Sequence, residues 1–169
     1  ELAQCLVGSE MCIRDSYKCR GMYKVEEIGT LDFSFADSKK KYYTLQSIED
    51  AKDKAYVPTD DEKNIRRPVS FEEAKHLLDC VDKIEVLSVK NEKFREQEYK
   101  DCVSDFKPEN WVRVLRTLYT RTKRRGSMTS MDKKYQMLLE HALYSEMQYV
   151  LGISAAELSR LLTSNLAKI

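Results

Sequence analysis

Glycine is scarce in this sequence: five residues in 169. Neither GxGxxG nor GxxxxGK[ST] can be built from Gly21, Gly29, Gly126 and Gly152, so phosphate-cradling loops are missing. Histidine occurs twice, as His76 and His141, and no CxxC is present. Cys19, Cys80 and Cys102 stand singly, without histidines at metal-ligand spacing, which argues against zinc. The five cysteines form no paired pattern, against a secreted disulfide scaffold and for a reducing, cytoplasmic compartment. No apolar run approaches the roughly 20 residues of a membrane-spanning helix. A net charge of +1 exerts no global pull toward nucleic acid, so such a role has to rest on a local patch.

Residues that are 42% hydrophobic and 34% charged describe a globular chain, long enough for one ordinary domain or two small ones. Residues 17–69 read as strands. MYKVEEI (22–28) and KYYTLQ (41–46) carry β-branched and aromatic residues, KAYV (54–57) stops at Pro58, and 66–69 holds a last short segment. The stretches between them, 30–40, 47–53 and 59–64, are polar and turn-prone, which suggests a small barrel or a strongly bent sheet. Gly21 and Gly29 flank the first strand, where a bend or bulge would use them.

Residues 70–169 read as helices. Ser70-Phe71-Glu72-Glu73 is a capping box, followed by Ala74, Leu77, Leu78 and Val81 on one face. A charged helix is predicted over 89–104. A third starts near Pro108, places Trp111, Val114, Leu115 and Leu118 on one stripe, and ends at Gly126. A fourth opens after Thr129, carries Tyr135, Leu138, Leu139, Ala142 and Met147 inward, and closes at Gly152. Ser154-Ala155-Ala156-Glu157 opens a fifth, with Leu158, Leu161, Leu162 and Leu166. The fold expected is therefore α+β in two domains, 17–69 and 70–169.

Catalytic constellations are hard to find. The acid pairs Glu26-Glu27 and Asp60-Asp61 are sequence neighbours, and neighbours on a strand face opposite sides. The chain reads as a non-enzyme, without metal, cofactor or small-molecule substrate. Its outstanding charge feature lies at 107–125, where seven bases (Lys107, Arg113, Arg116, Arg121, Lys123, Arg124, Arg125) face Glu109 alone, a local charge of +6. Such a cluster can engage phosphates, or simply be a solvated helix end favoured by the macrodipole. Residues 70–106 carry ten acids against six bases, a segregation suited to oriented docking.

Two resemblances organise these observations. The string CLVGSEMCIRDS (5–16) resembles the translation of a transposase adapter used in preparing sequencing libraries, so 1–16 is set apart as a non-native segment. Without it, twenty-eight bases stand against twenty-five acids, a charge of +3. YKVEEIGTLDFS (23–34), KKYYTLQ (40–46), AYVPTDDEKNIRRPVS (55–70) and VLRTLYTRTKRRG…LLEHALYSEMQYVLGIS resemble the CarD/CdnL family of bacterial transcription regulators, closest to its Firmicutes-type members. The resemblance covers residues 17–169.

It implies a Tudor-like β-barrel that binds the lobe of the bacterial RNA polymerase β subunit. The barrel's first strand would be lost with the natural start and its place filled by the adapter-like segment. It also implies an all-α helical domain that contacts promoter DNA at the upstream edge of the bubble and stabilises the open complex. The polymerase-facing residues would be Ile28, Leu31, Tyr43 and Tyr56, with Tyr56 equally placed to be barrel core. The DNA-facing residues would be Arg113, Arg116, Arg121, Lys123, Arg124 and Arg125, contacting mainly the phosphate backbone. Relatives insert a tryptophan into the minor groove from the helix before the basic one. Here that position falls near Asn91-Glu92, without an aromatic, and Trp111 reads as core. The alternative is a protein-only adaptor on polymerase, without DNA contact.

Overall fold

The computed structural model describes residues 14–34 and 36–166, and divides the chain into two compact units on either side of Pro68 and Val69. Together they make a mixed α+β protein: a sheet unit followed by a helical one.

The first unit is an antiparallel sheet of five strands: β1 (Arg14–Tyr17), β2 (Met22–Gly29), β3 (Tyr42–Ser47), β4 (Lys54–Pro58) and β5 (Ile65–Arg66), in the order β4-β3-β2-β1-β5. Strand alternation sends Tyr43 and Leu45 of β3, and Ala55 and Val57 of β4, into a shared core with Tyr23. Ile65, on the opposite edge strand, joins the same cluster, so the sheet curls to bring both edges round one core. The Tyr23 hydroxyl emerges from this core to donate to Asp53, which also pairs with Arg20 at 2.8 Å.

Two strand expectations need correction. The last strand is Ile65–Arg66 rather than 66–69, because its pairing with β1 ends before Pro68, which has no amide proton to donate. Strand β1 lies where the adapter-like segment is expected to enter the sheet. Its first three residues belong to the adapter-like string, whose residues up to 13 lie outside the described residues, and they pair with β2 on one side while Ser16 pairs with β5 on the other. Ladder hydrogen bonds use only backbone groups, so any extended segment can occupy that position. The irregularity within β2 lies between Val25 and Glu27 rather than at Gly29, while Gly21, just before the strand, takes a positive φ of 105°. That bulge resets the alternation, so Glu26 and Glu27 are both exposed instead of facing opposite sides, and Glu26 pairs with Lys54 at 2.8 Å.

The second unit contains five helices: α1 (Phe71–Asp79), α2 (Arg95–Cys102), α3 (Pro108–Arg125), α4 (Ser130–Leu151) and α5 (Ala155–Leu166). The capping box at α1 is complete, Ser70 Oγ accepting from the Glu73 amide and Glu73 accepting from the Ser70 amide. Gly126 and Gly152 end α3 and α4 in the left-handed conformation, with φ of 74° and 64°. Helix α4 is central and packs against α1, α3 and α5. Trp111, Val112, Val114, Leu115 and Leu118 of α3 meet Tyr135, Leu139, Ala142, Leu143 and Met147 of α4 among the buried residues.

Helix α2 is shorter than the expected 89–104. Asn91 accepts from the Lys93 amide and opens a 3₁₀ turn, Glu92–Phe94, so the α-helix begins only at Arg95. Its buried side chains are Arg95 and Tyr99, so it lacks the apolar stripe that marks the other helices. Leu138 and Leu161 are exposed rather than inward, since each stands one residue outside its buried stripe. No described helix is long and apolar enough to cross a membrane.

Candidate nucleic-acid interface and sheet face

Helix α3 carries the basic segment, and its two ends treat their arginines differently. In the middle of the helix Arg116 is buried, its exposure 6%. Its Nη1 donates to the carbonyls of Val81 at 3.0 Å, Asp82 at 2.7 Å and also Ile84. Thr117 beside it accepts from the Leu87 amide at 2.7 Å, so this part of α3 clasps residues 81–87. Arg116 is therefore withdrawn from the expected phosphate-facing set. Its guanidinium supplies a donor to the Asp82 and Ile84 carbonyls at the end of a short 3₁₀ turn, Val81–Lys83, and a second donor to the Val81 carbonyl, which also accepts from the Ile84 amide at 3.4 Å. Arg113, one turn earlier, is half-buried in a shallow cleft with Leu87, Glu98, Asp101, Cys102 and Asn110.

At the C-terminal end the cations converge or open outward. Arg121 and Arg125, four residues apart, lie on one helix face. Arg121 grips Glu92 with both guanidinium arms at 2.8 Å, and Arg125 lies 3.5 Å from the same carboxylate. Arg95, from the start of α2, also donates to Glu92 at 2.5 Å and reaches buried Asp132 at 3.5 Å. The Arg121 hydrogen bond, aided by the nearby Arg95 and Arg125 charges, holds the Glu92 carboxyl below the usual carboxylate range, so the contact is ionic at neutral pH and weakens on acidification. Behind it Tyr99 packs edge-on against Tyr135, with ring centroids 5.4 Å apart, and burial together with the Asp132 charge pushes its phenol up to about 12. Lys123 and Arg124 are exposed and form no ion pair among the described residues.

Beside this cluster stands Phe94, 63% exposed at the end of the Glu92–Phe94 turn. The sequence pattern did not single it out. The signal was present: an aromatic in a stretch with no helical stripe to bury it.

On the sheet unit, Tyr43 does not face outward as expected. It is 3% exposed, because alternation along β3 places it with Leu45 in the core. Ile28, paired with Tyr43, packs partly buried against that core. Tyr56 lies between inward Ala55 and Val57 and is half-buried rather than core. Its ring centroid is 5.3 Å from that of Phe33, which is 46% exposed in the turn after β2. Leu31, nearby in sequence, is half-buried. Phe33 was missed because its neighbours are polar, although an aromatic in a polar turn is itself the cue.

One pairing of reactive residues also escaped the sequence reading. His76 and Cys80, four residues apart across the end of α1, bring the sulfur within 3.8 Å of the ring. Among the described residues no three histidine, cysteine or acidic side chains are arranged to hold a metal ion. Comparison of the sequence with models of known protein families finds no match, and comparison with curated proteins finds none.

Proposed function

We propose that this chain is a CarD/CdnL-type transcription regulator of the bacterial cytoplasm. Its sheet unit is Tudor-like and docks on the lobe of the RNA polymerase β subunit. Its helical unit contacts promoter DNA at the upstream edge of the bubble and stabilises the open complex. The observation that carries this reading is the exposed basic end of α3, Lys123, Arg124 and Arg125, together with the exposed ring of Phe94, the sequence neighbour of Arg95 in the Glu92 cluster. Cations that contact phosphates position a protein on duplex without specifying sequence, which fits a general promoter factor. Phe94 has the chemistry of a minor-groove wedge, an apolar side chain that partly unstacks a base step, and it lies two residues from Glu92. On the sheet unit, Phe33 and Tyr56 form an apolar aromatic face suited to protein docking.

The test is binding to an upstream-fork promoter in the presence of polymerase. Arg124→Glu with Arg125→Glu is expected to weaken binding by about tenfold or more and to flatten its salt dependence by about two units of slope, one per phosphate contact. Phe94→Ala is expected to shorten the open-complex lifetime with little change in that slope, since a wedge acts on stacking. Unchanged affinity and lifetime in the double charge reversal sink the DNA assignment. In co-purification with the isolated β lobe, Leu31→Glu and Tyr56→Ala are each expected to lose most of the retained protein, and wild-type retention of both removes the proposed docking face.

The protein-only adaptor has one observation in its favour. Arg116 and Arg121 are engaged within the helical unit, which leaves fewer outward cations than the +6 segment promised. It predicts polymerase retention with no salt-dependent DNA term.

A further inference from the structure

Three guanidinium groups closing on one carboxylate is more cationic capacity than one exposed carboxylate calls for. Glu92 is 53% exposed, yet it is held by Arg121 at 2.8 Å through both arms, by Arg95 at 2.5 Å and by Arg125 at 3.5 Å. Arg95 and Arg121 are covered, with side-chain exposures of 9% and 15%. The Arg95 position is also prepared from behind. Arg95 is anchored by Asp132 at 3.5 Å and Thr129 at 3.4 Å, so its guanidinium does not depend on Glu92 for its placement. The carboxylate itself projects from a 3₁₀ turn, and only side-chain rotation is needed to withdraw it.

A carboxylate gripped by a guanidinium fork presents two oxygens in the geometry that a phosphate also presents. We propose that Arg95, Arg121 and Arg125 form a phosphate-binding site that Glu92 occupies in the free protein. The ligand is a backbone phosphodiester of duplex DNA, which displaces Glu92 and takes over its hydrogen bonds. The proposal rests on the DNA-binding reading above and deepens it by adding two residues, Arg95 and Glu92, and a competition between them and DNA. The displaced Glu92 moves to water, where an exposed carboxylate is readily solvated, so the exchange costs little beyond the ion pairs that the phosphate replaces. Glu92 then acts as a built-in competitor: it lowers affinity for any duplex and leaves tight binding to the assembly in which polymerase supplies the second anchor.

The test is fluorescence-anisotropy binding of the full chain to a fluorescein-labelled upstream-fork duplex across a salt series. Glu92→Gln keeps the shape and removes the charge. It is expected to bind about three- to tenfold more tightly than wild type. Its plot of log affinity against log salt is expected to steepen by about one unit, because one further phosphate is neutralised. Adding Arg121→Gln to Glu92→Gln is expected to cancel the gain. Adding Arg160→Gln instead, which removes the same charge from the exposed face of α5, is expected to keep most of it, which ties the gain to the freed guanidinium rather than to net charge. Wild-type affinity and slope in Glu92→Gln, while Arg124→Glu with Arg125→Glu loses binding, overturns this site and leaves the DNA reading standing. A gain that survives Arg121→Gln also overturns it. No change in any variant, the double charge reversal included, overturns the DNA reading and the site together.

Discussion

Replacing Arg116 with methionine is expected to destabilise the helical unit by about 2–4 kcal/mol while leaving the affinity of the folded protein for DNA unchanged. Methionine fills much of the same volume without supplying a donor. The carbonyls of Val81, Asp82 and Ile84, which now share one guanidinium nitrogen, would be left without it in a region that water reaches poorly. A buried acceptor stripped of its partner costs more than an exposed hydrogen bond gains, and a charged donor raises the difference. For a unit of about a hundred residues, the loss corresponds to a fall in melting temperature on the order of 10 °C or more. Arg116→Lys keeps the charge but offers a shorter, single-pointed donor, so partial recovery is expected. Thermal melts followed by circular dichroism, paired with DNA titrations well below the melting point, separate the two roles. A variant that melts like wild type yet loses DNA affinity would return Arg116 to the phosphate-facing set.

The second large effect belongs to Trp111. It is wholly buried and is the chain's single tryptophan. Trp111→Ala is expected to cost about 3–5 kcal/mol, the range for truncating a large aromatic in a packed core where the neighbours only partly collapse into the space. Val112, Val114, Leu115 and Leu118 are buried on the same helix, and the leucines and methionine of α4 are held by their own backbone, so the cavity has rigid walls. Denaturant titration measures the loss. In the wild type the intrinsic fluorescence reports the helical unit directly, with blue-shifted emission that moves red as α3 separates from α4. Emission already red-shifted in the native protein would contradict the burial on which this prediction stands.

Much of the helical unit was legible in the sequence because its signals are local. Ser70 with Glu73, Thr129 and the two glycines at 126 and 152 are capping devices that act within one turn of the backbone they satisfy. The stripe from Trp111 to Leu118 follows from a period of 3.6 residues. Strands β2, β3 and β4 were legible for a similar reason, their β-branched and aromatic residues being bounded by polar turns. Where the local signal was weak, the reading failed: the start of α2 depends on a single asparagine side chain, and the bulge in β2 follows from pairing with β3.

The candidate sites divide along the same line. That residues 107–125 carry a +6 charge on a helix, and that 22–58 supply strands rich in aromatics, are properties of the sequence alone, since composition and period need no knowledge of the neighbours. Which of those groups face solvent was decided only by tertiary structure. A period of 3.6 places Arg116 one residue after Leu115 without saying that the 81–84 carbonyls await it there. Nor does it say that Glu92, twenty-nine residues before Arg121, closes on the basic end of α3. Strand alternation offers two faces for Tyr43 and Tyr56, and the curl of the sheet chose the inner one for Tyr43. Burial and ion pairing depend on chain segments distant in sequence, and those partners are set by packing rather than by pattern.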